Sequence, residues 1–227
     1  MRHVRRVYDH TEMLVDHFPV LGLTGRTPRL ELRVPDDADL DALVAVALRG
    51  VHPPETMPFL HPWTDREPEA LARGLLQRHW WTLAEWSPGN WCLDLCVVHD
   101  GTVVGMQVLQ ARQFAVTRQV GSASWLGLEY RGRGIGTEMR AAVLHLAFAG
   151  LGAEEAVSGA FEDNTASLVV SRKLGYRPDG VERHVVRGAL AVERRMRLSR
   201  EDWERHRTVD AVIEGLAPAL PLFGVEG

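Results

Sequence analysis

Ser124-Trp125-Leu126-Gly127-Leu128-Glu129-Tyr130-Arg131-Gly132-Arg133-Gly134-Ile135-Gly136-Thr137 decides the fold of this 227-residue chain. It predicts a strand, a glycine-rich turn and a helix. Trp125, Leu126 and Leu128 carry the strand. Met139, Ala142, Val143, Leu146 and Gly150 carry the helix, recurring at helical spacing. Between them, Gly132, Gly134 and Gly136 leave the backbone bare. Such a turn aims unpaired N–H groups and the positive end of a helix dipole at one point, which suits a phosphate or pyrophosphate.

Spacing separates the turns that do this. A P-loop needs Gly-x-x-x-x-Gly-Lys-Ser/Thr, and this turn has no lysine. A dinucleotide fingerprint needs Gly-x-Gly-x-x-Gly, but the third position is Thr137 and the turn lies past the middle of the chain. Arg131-Gly132-Arg133-Gly134-Ile135-Gly136 fits Arg/Gln-x-x-Gly-x-Gly/Ala, the acyl-CoA pyrophosphate motif of the GNAT acyltransferase superfamily, which the chain resembles here. Downstream, Asp163-Asn164-Thr165-Ala166-Ser167 and the run to Leu174-Gly175-Tyr176 resemble its second signature. Upstream, Thr27-Pro28-Arg29-Leu30-Glu31-Leu32-Arg33 is similar to the opening strand of the RimJ/RimL branch, which acylates protein N-termini and other amines. The resemblance spans residues 27–206.

Working outward, composition bounds the class. A net charge of −4, with 45% hydrophobic and 25% charged residues, is ordinary for a globular protein and gives no global pull toward nucleic acid or an anionic membrane. Arg131 and Arg133 read as phosphate neighbours, not as part of a basic face. Met1–Arg6 is basic, but no apolar segment follows it, and no run approaches a membrane span, so a cytoplasmic setting is expected. Cys92 and Cys96 fall on one face of a predicted strand, too far apart to bond to each other, and lack the second half of a metal site; no metal is expected.

Three parts are expected: an N-terminal extension over 1–26, an acyltransferase domain over 27–206 and a C-terminal docking tail over 207–227. Within the domain, a strand over 29–34 precedes a helix capped by Asp36 or Asp37 and running through Arg49. The loop Val51–Thr64 holds four prolines with Met57, Phe59, His61 and Trp63; it reads equally as an acceptor-site wall or as aromatics docking a loop on the core. A helix over 67–85 follows. Strands over 91–99 and 102–111 meet at Asp100-Gly101, a hairpin turn. Gln107, mid-strand, is a candidate substrate contact, because a buried amide needs partners. Further strands run over 119–128 and 156–161, and two more between 176 and 198 turn at Arg187-Gly188. Ser199-x-x-Asp202 opens a last helix. The apolar tail predicts docking on the body or on another subunit, which leaves a homo-oligomer open. The fold class is therefore α/β: one domain, a mixed and mostly antiparallel sheet with helices on both faces. The resemblance adds that the parallel strands over 119–128 and 156–161 splay apart.

The resemblance also implies the chemistry. Acetyl-CoA or succinyl-CoA would be held by the backbone of Leu126 and Leu128, by Arg131, Gly132, Arg133, Gly134, Ile135, Gly136 and Thr137, and by Asn164 and Ser167. Asn164, Ser167 and Ser171 share one helical face by spacing. Asn164 reads as a pantetheine contact or as a helix cap. Ser171 reads as the proton donor to the departing thiolate or as a serine bonded to a preceding carbonyl. Gln107, His61, Trp63 and Arg118 are the substrate-side candidates. RimL-type relatives place a glutamate base where this chain has Gly121–Ser124, without an acid. His61, Glu55 or a water relay are the remaining candidates. Neither cysteine is marked as an acyl-enzyme nucleophile. The Pro-rich loop, Thr117-Arg118-Gln119, Ser124–Gly127 and Pro221–Gly224 together look like a bacterial subgroup associated with succinyl-CoA. The expected activity is transfer of an acetyl or succinyl group to a small-molecule or protein amine. The other reading is an acyl-CoA-binding sensor without turnover.

Overall fold

The computed structural model describes residues 10–226, with side chains from 14 onward. The basic start Met1–Arg6 lies outside the described residues. Nine strands form one sheet: β1 Thr24–Arg26, β2 Leu30–Arg33, β3 Asn90–His99, β4 Thr102–Arg112, β5 Gln119–Leu126, β6 Glu155–Phe161, β7 Arg177–Val186, β8 Ala189–Ser199 and β9 Val212–Glu214. Their order is β7-β8-β6-β5-β4-β3-β2-β1-β9, and β5 with β6 is the parallel pair. The sheet thus reaches into both flanking stretches, through Thr24–Arg26 and Val212–Glu214. Eight α-helices are described: α1 His10–His17, α2 Asp37–Arg49, α3 Pro68–Ala84, α4 Phe114–Thr117, α5 Ile135–His145, α6 Thr165–Lys173, α7 Arg200–His206 and α8 Leu216–Ala219.

Local sequence sets the punctuation. Asp36 and Asp39 cap α2 reciprocally, and Ser199 caps α7 by accepting from the Asp202 N–H. Asp100-Gly101 and Arg187-Gly188 all have positive φ, as a two-residue hairpin turn requires, so β3–β4 and β7–β8 are hairpins. Arg187 meets this demand without being glycine.

Two cores sandwich the sheet. On one face, Ile135, Met139, Ala142, Val143 and Leu146 pack on Leu95, Val97, Leu109, Val120 and Leu126. On the other, Leu40, Leu43 and Ala47 of α2 and Leu71 and Leu75 of α3 pack on Cys96, Met106 and Val108. Each Leu, Ile, Val or Met among them, fully buried, contributes roughly 1.5–3 kcal/mol. The tail docks on its own chain. Phe223 is fully buried against Trp86 and Trp91, whose indole N–H groups donate to the carbonyls of Leu222 and Phe223 at 2.8 and 3.2 Å.

Candidate active site

The strands β5 and β6 pair at three residues only, Gln119–Glu155, Val120–Ala156 and Gly121–Val157, and then part. From Ser122 to Leu126, β5 keeps β4 on one side and has no strand on the other. This leaves a V-shaped gap, roughly 16 Å along β5 at a strand's rise per residue, lined by unpaired main-chain groups. An extended ligand can lie there as an added strand.

The glycine turn stands at the mouth of the V. Gly132 and Gly134 have φ of +76° and +80°, a region that favours glycine. Arg131 N–H bonds back to Leu128, and the next amides with backbone acceptors are Thr137 and Glu138, both to the Gly134 carbonyl. Among the described residues, the N–H groups of Gly132 through Gly136 take no backbone acceptor, so they and the α5 dipole converge on open space. Arg29 braces the turn from below. Its Nη1 donates to the Arg133 carbonyl at 3.1 Å, and its Nε and backbone N–H donate to Glu138 at 2.7 and 3.1 Å. Thr27 adds a 2.6 Å bond to the same carboxylate. Burial raises the Glu138 pKa, but the Thr27 and Arg29 bonds outweigh it and hold the carboxyl below its ordinary value.

Side chains of β5 alternate between the two faces of the V, and one face is polar where it should be greasy. Ser171 of α6 is buried, and its Oγ accepts from Arg140 Nη1 of α5 at 2.9 Å. Arg140 is only 5% exposed and faces no carboxylate among the described residues; Tyr176 is the titratable neighbour. Among the described residues, buried polar atoms without a well-formed partner gather on this face: Arg140 Nε, Gln107 Oε1, and the Tyr176 and Ser122 hydroxyls, which face each other. Ser122 is the first residue past the last β5–β6 pair, so the group marks the closed end of the V. Burying an ion costs several kcal/mol. One charge-assisted bond returns about 1.5–3 kcal/mol, so Arg140 stays under-compensated. Burial raises the Tyr176 pKa, with Arg140 opposing, so the phenol remains a donor.

The other face is aromatic. Trp125 meets Trp63 at 5.7 Å between ring centroids, Trp63 meets Phe59 at 5.2 Å, and Phe59 meets His52 at 5.7 Å. Across the gap, Phe161 packs with Met57 and Phe59, and its ring lies 6.2 Å from His184. Arg187, in the β7–β8 turn, pins the Pro-rich loop by two bonds to Asp65 and by the carbonyls of Pro54 and Thr56. A Cβ on Gly159 would collide with the Glu193 carboxylate, which therefore lies over bare backbone on this face of β6. Glu193 in turn bonds His184 Nε2 at 3.0 Å, with Glu182 3.7 Å away and bridged to Arg195.

The expected site residues separate in space. Leu126, the turn residues, Asn164, Ser167, Ser171 and Trp63 border the V. Asn164 caps α6 by accepting from the Ser167 N–H at 3.2 Å, so the cap reading holds for its Oδ1. Ser171 bonds Arg140, not a carbonyl of its own helix. Gln107 is fully buried, and its Nε2 donates to the carbonyls of Val108 and Ala123. It faces α5, away from the aromatic wall. His61 and Glu55 are exposed, whereas His52 is buried and bonded to Thr64. Leu128 needs correcting: it lies beyond the strand in a short 3-10 turn, and its N–H is already spent on the Gly50 carbonyl at 3.0 Å. Arg118 needs correcting too. It precedes β5, at the end opposite Leu126, where its carbonyl holds Glu154 and Glu155 and its guanidinium covers Phe114.

Sequence reasoning missed Arg140, Tyr176, Ser122, His184 and Glu193. One signal was available. Arg140 interrupts the run Met139-Arg140-Ala141-Ala142-Val143-Leu144, where a solvated arginine has little polar company. Neither thiol is poised for nucleophilic work: burial pushes Cys92 up to about 12 and Cys96 higher.

Residues 29–177 match the family model described as "Acetyltransferase (GNAT) domain". Solved structures resemble the fold. RimJ of Mycobacterium smegmatis, solved with a CoA disulfide, has a TM-score of 0.66 at 19% identity, covering 81% of this chain and 90% of its own. The RimL ribosomal L7/L12 alpha-N-protein acetyltransferase, solved with coenzyme A, has a TM-score of 0.60 at 16% identity, covering 76% and 95%. A GNAT-family acetyltransferase from Bacillus anthracis has a TM-score of 0.59 at 16% identity, covering 78% and 99%.

Proposed function

The chain belongs to the GNAT acetyltransferase family, and from that premise we propose that it transfers an acyl group from acyl-CoA to a primary amine by direct attack. The observation that carries this reading is the strand gap that runs from Ser122 to the bare amides of Gly132–Gly136. The turn takes the pyrophosphate, and the free edge of β5 pairs with the pantetheine amides. A β5 N–H then polarises the thioester carbonyl. Asn164 offers its amide N–H groups to the pantetheine end, and Ser171 donates its hydrogen to the departing sulfur.

The amine approaches from the aromatic face. It must shed a proton, and β5 carries no acid. We assign the role of base to the Glu193–His184 pair, which lies over Gly159 on that face. When Nε2–H of His184 donates to Glu193, Nδ1 carries the lone pair. The pair reaches the amine directly or through one water. Phe59, Trp63, Trp125 and Phe161 wall the approach and suit a cation before it is deprotonated. The RimJ and RimL likenesses support a protein N-terminus as acceptor, and a small amine fits the same chemistry. The donor is acetyl-CoA or succinyl-CoA in a cytoplasmic setting. Among the described residues no helix is long and apolar enough to cross a membrane.

Thermal stabilisation by acetyl-CoA, succinyl-CoA and free CoA, measured in parallel, tests the reading. The three are compared at one concentration, and a ligand that is then at a hundred times its Kd adds about 2.7 kcal/mol. A larger shift with succinyl-CoA selects that donor, and equal shifts leave the acyl pocket unselective. No shift with any of them removes the acyl-CoA reading. Stabilisation without turnover on any amine, alkyl or peptide, selects the sensor reading instead.

A further inference from the structure

We propose that Arg140 supplies the counter-charge for the sulfur that leaves, acting through Ser171. The inference rests on the acyl-CoA reading and extends it to a residue outside both sequence signatures. Three observations carry it. Arg140 is buried without a carboxylate partner. Among the described residues its one hydrogen bond, from Nη1, goes to the Ser171 Oγ. Among the described residues its Nε has no partner, and it sits where β5 and β6 part, near Tyr176 and Ser122, whose hydroxyls face each other. A buried cation with idle N–H groups of its own is complementary to an anion that arrives during turnover.

In the step so drawn, the amine nitrogen bonds to the thioester carbon, and the C–S electron pair goes to sulfur as that bond breaks. Ser171 gives its hydroxyl proton to the sulfur and recovers the second proton shed by the nitrogen; the first has gone to the base. Arg140, donating to the Ser171 oxygen throughout, makes that hydroxyl a stronger hydrogen-bond donor and opposes the charge on oxygen while the proton is away. Arg140 never meets the substrate in this account, so it is a positioning residue.

Free CoA is the probe, because its thiol reports the same charge without any acceptor. Binding is measured with CoA and with desulfo-CoA, and the thiolate absorbance of bound CoA is titrated against the desulfo-CoA complex. Tyr176 is the titratable group facing Arg140, and burial keeps its phenol silent through this window. Glu138 is turned toward Arg29, and His145 toward Trp203. Bound CoA in the wild type should hold about tenfold more thiolate than free CoA at the same pH, a shift of about one pKa unit. Arg140→Met should abolish the shift and Arg140→Lys restore part of it, both binding desulfo-CoA like wild type. Ser171→Ala, which keeps the cation but cuts the relay, should also lose most of it. With an acceptor, Arg140→Met should lower kcat and leave KM for the donor in place.

A bound thiol that titrates like free CoA in the wild type overturns the proposal without any variant being needed. So does a shift that survives Arg140→Met. Failure of both CoA and desulfo-CoA to bind overturns the acyl-CoA reading itself, and Arg140's role falls with it.

Discussion

The two ends of the V are built in opposite ways. The mouth is main chain: five consecutive amides from Gly132 to Gly136, set by positive φ at two glycines and braced by one arginine. The closed end is side chain: Ser122, Arg140, Ser171 and Tyr176 gather there on one face, while on the other Glu193 and His184 stand along the β6 arm, level with Gly159 and Phe161. A main-chain site binds whatever has the right charge and shape, so the mouth should govern affinity. A side-chain site places protons and charge, so the closed end should govern rate.

Substitutions should divide along that line. The largest effect belongs to Glu193→Gln: kcat/KM for an alkyl amine should fall about a hundredfold, with CoA affinity by calorimetry unchanged. Hydroxylamine, already neutral at assay pH, should lose far less. A matching loss of CoA affinity would break the contrast between the two ends. Next is Gly134→Val. A β-branched residue in the left-handed region costs about 1–2 kcal/mol, and relief of that strain would turn the amides away. The Kd for CoA should rise about tenfold, while kcat at saturation holds; a drop in kcat alone would erase the division.

Glu138→Gln is milder and tests the brace. The depressed pKa means that the ionised carboxylate stabilises the fold above the ordinary glutamate range, and that this is lost as pH falls through the folded pKa. The variant should be about 1 kcal/mol less stable at neutral pH, with the gap to wild type closing in acid; a constant gap by thermal melting across pH would assign the loss to packing. Smallest is Arg187→Ala. The clamp on the Pro-rich loop is solvent-exposed, so stability should barely change. KM for the acceptor should rise a few-fold, with KM for the donor fixed.

The same contrast explains what could be read in advance. The turn and the α6 face were legible because each is a local pattern: Gly132-x-Gly134-x-Gly136 precedes its helix, and Asn164, Ser167 and Ser171 fall at helical spacing. Both tight hairpins were legible for the same reason. Arg118 was a substrate-side candidate as a donor for a succinyl carboxylate, but it stands at the end of β5 opposite Leu126. Leu128 extended an apolar strand pattern that Gly127 and the following 3-10 turn had already ended. The proposed base needed topology: Glu193 is near the V only because β8 pairs with β6 and Gly159 leaves room. Thr24–Arg26 and Val212–Glu214 are too short to announce themselves, and each becomes a strand by pairing with the other.

The three residue pairs between β5 and β6 are a seam in an otherwise continuous sheet of nine strands. Six strands hang from one side of it and three from the other. A donor laid along Ser122–Leu126 would act as a splint, lengthening the bonded seam toward the full strand. Occupancy can therefore be followed without chemistry, as slowed amide exchange along those five residues. Mechanical unfolding of the empty protein should begin where this stitching is shortest.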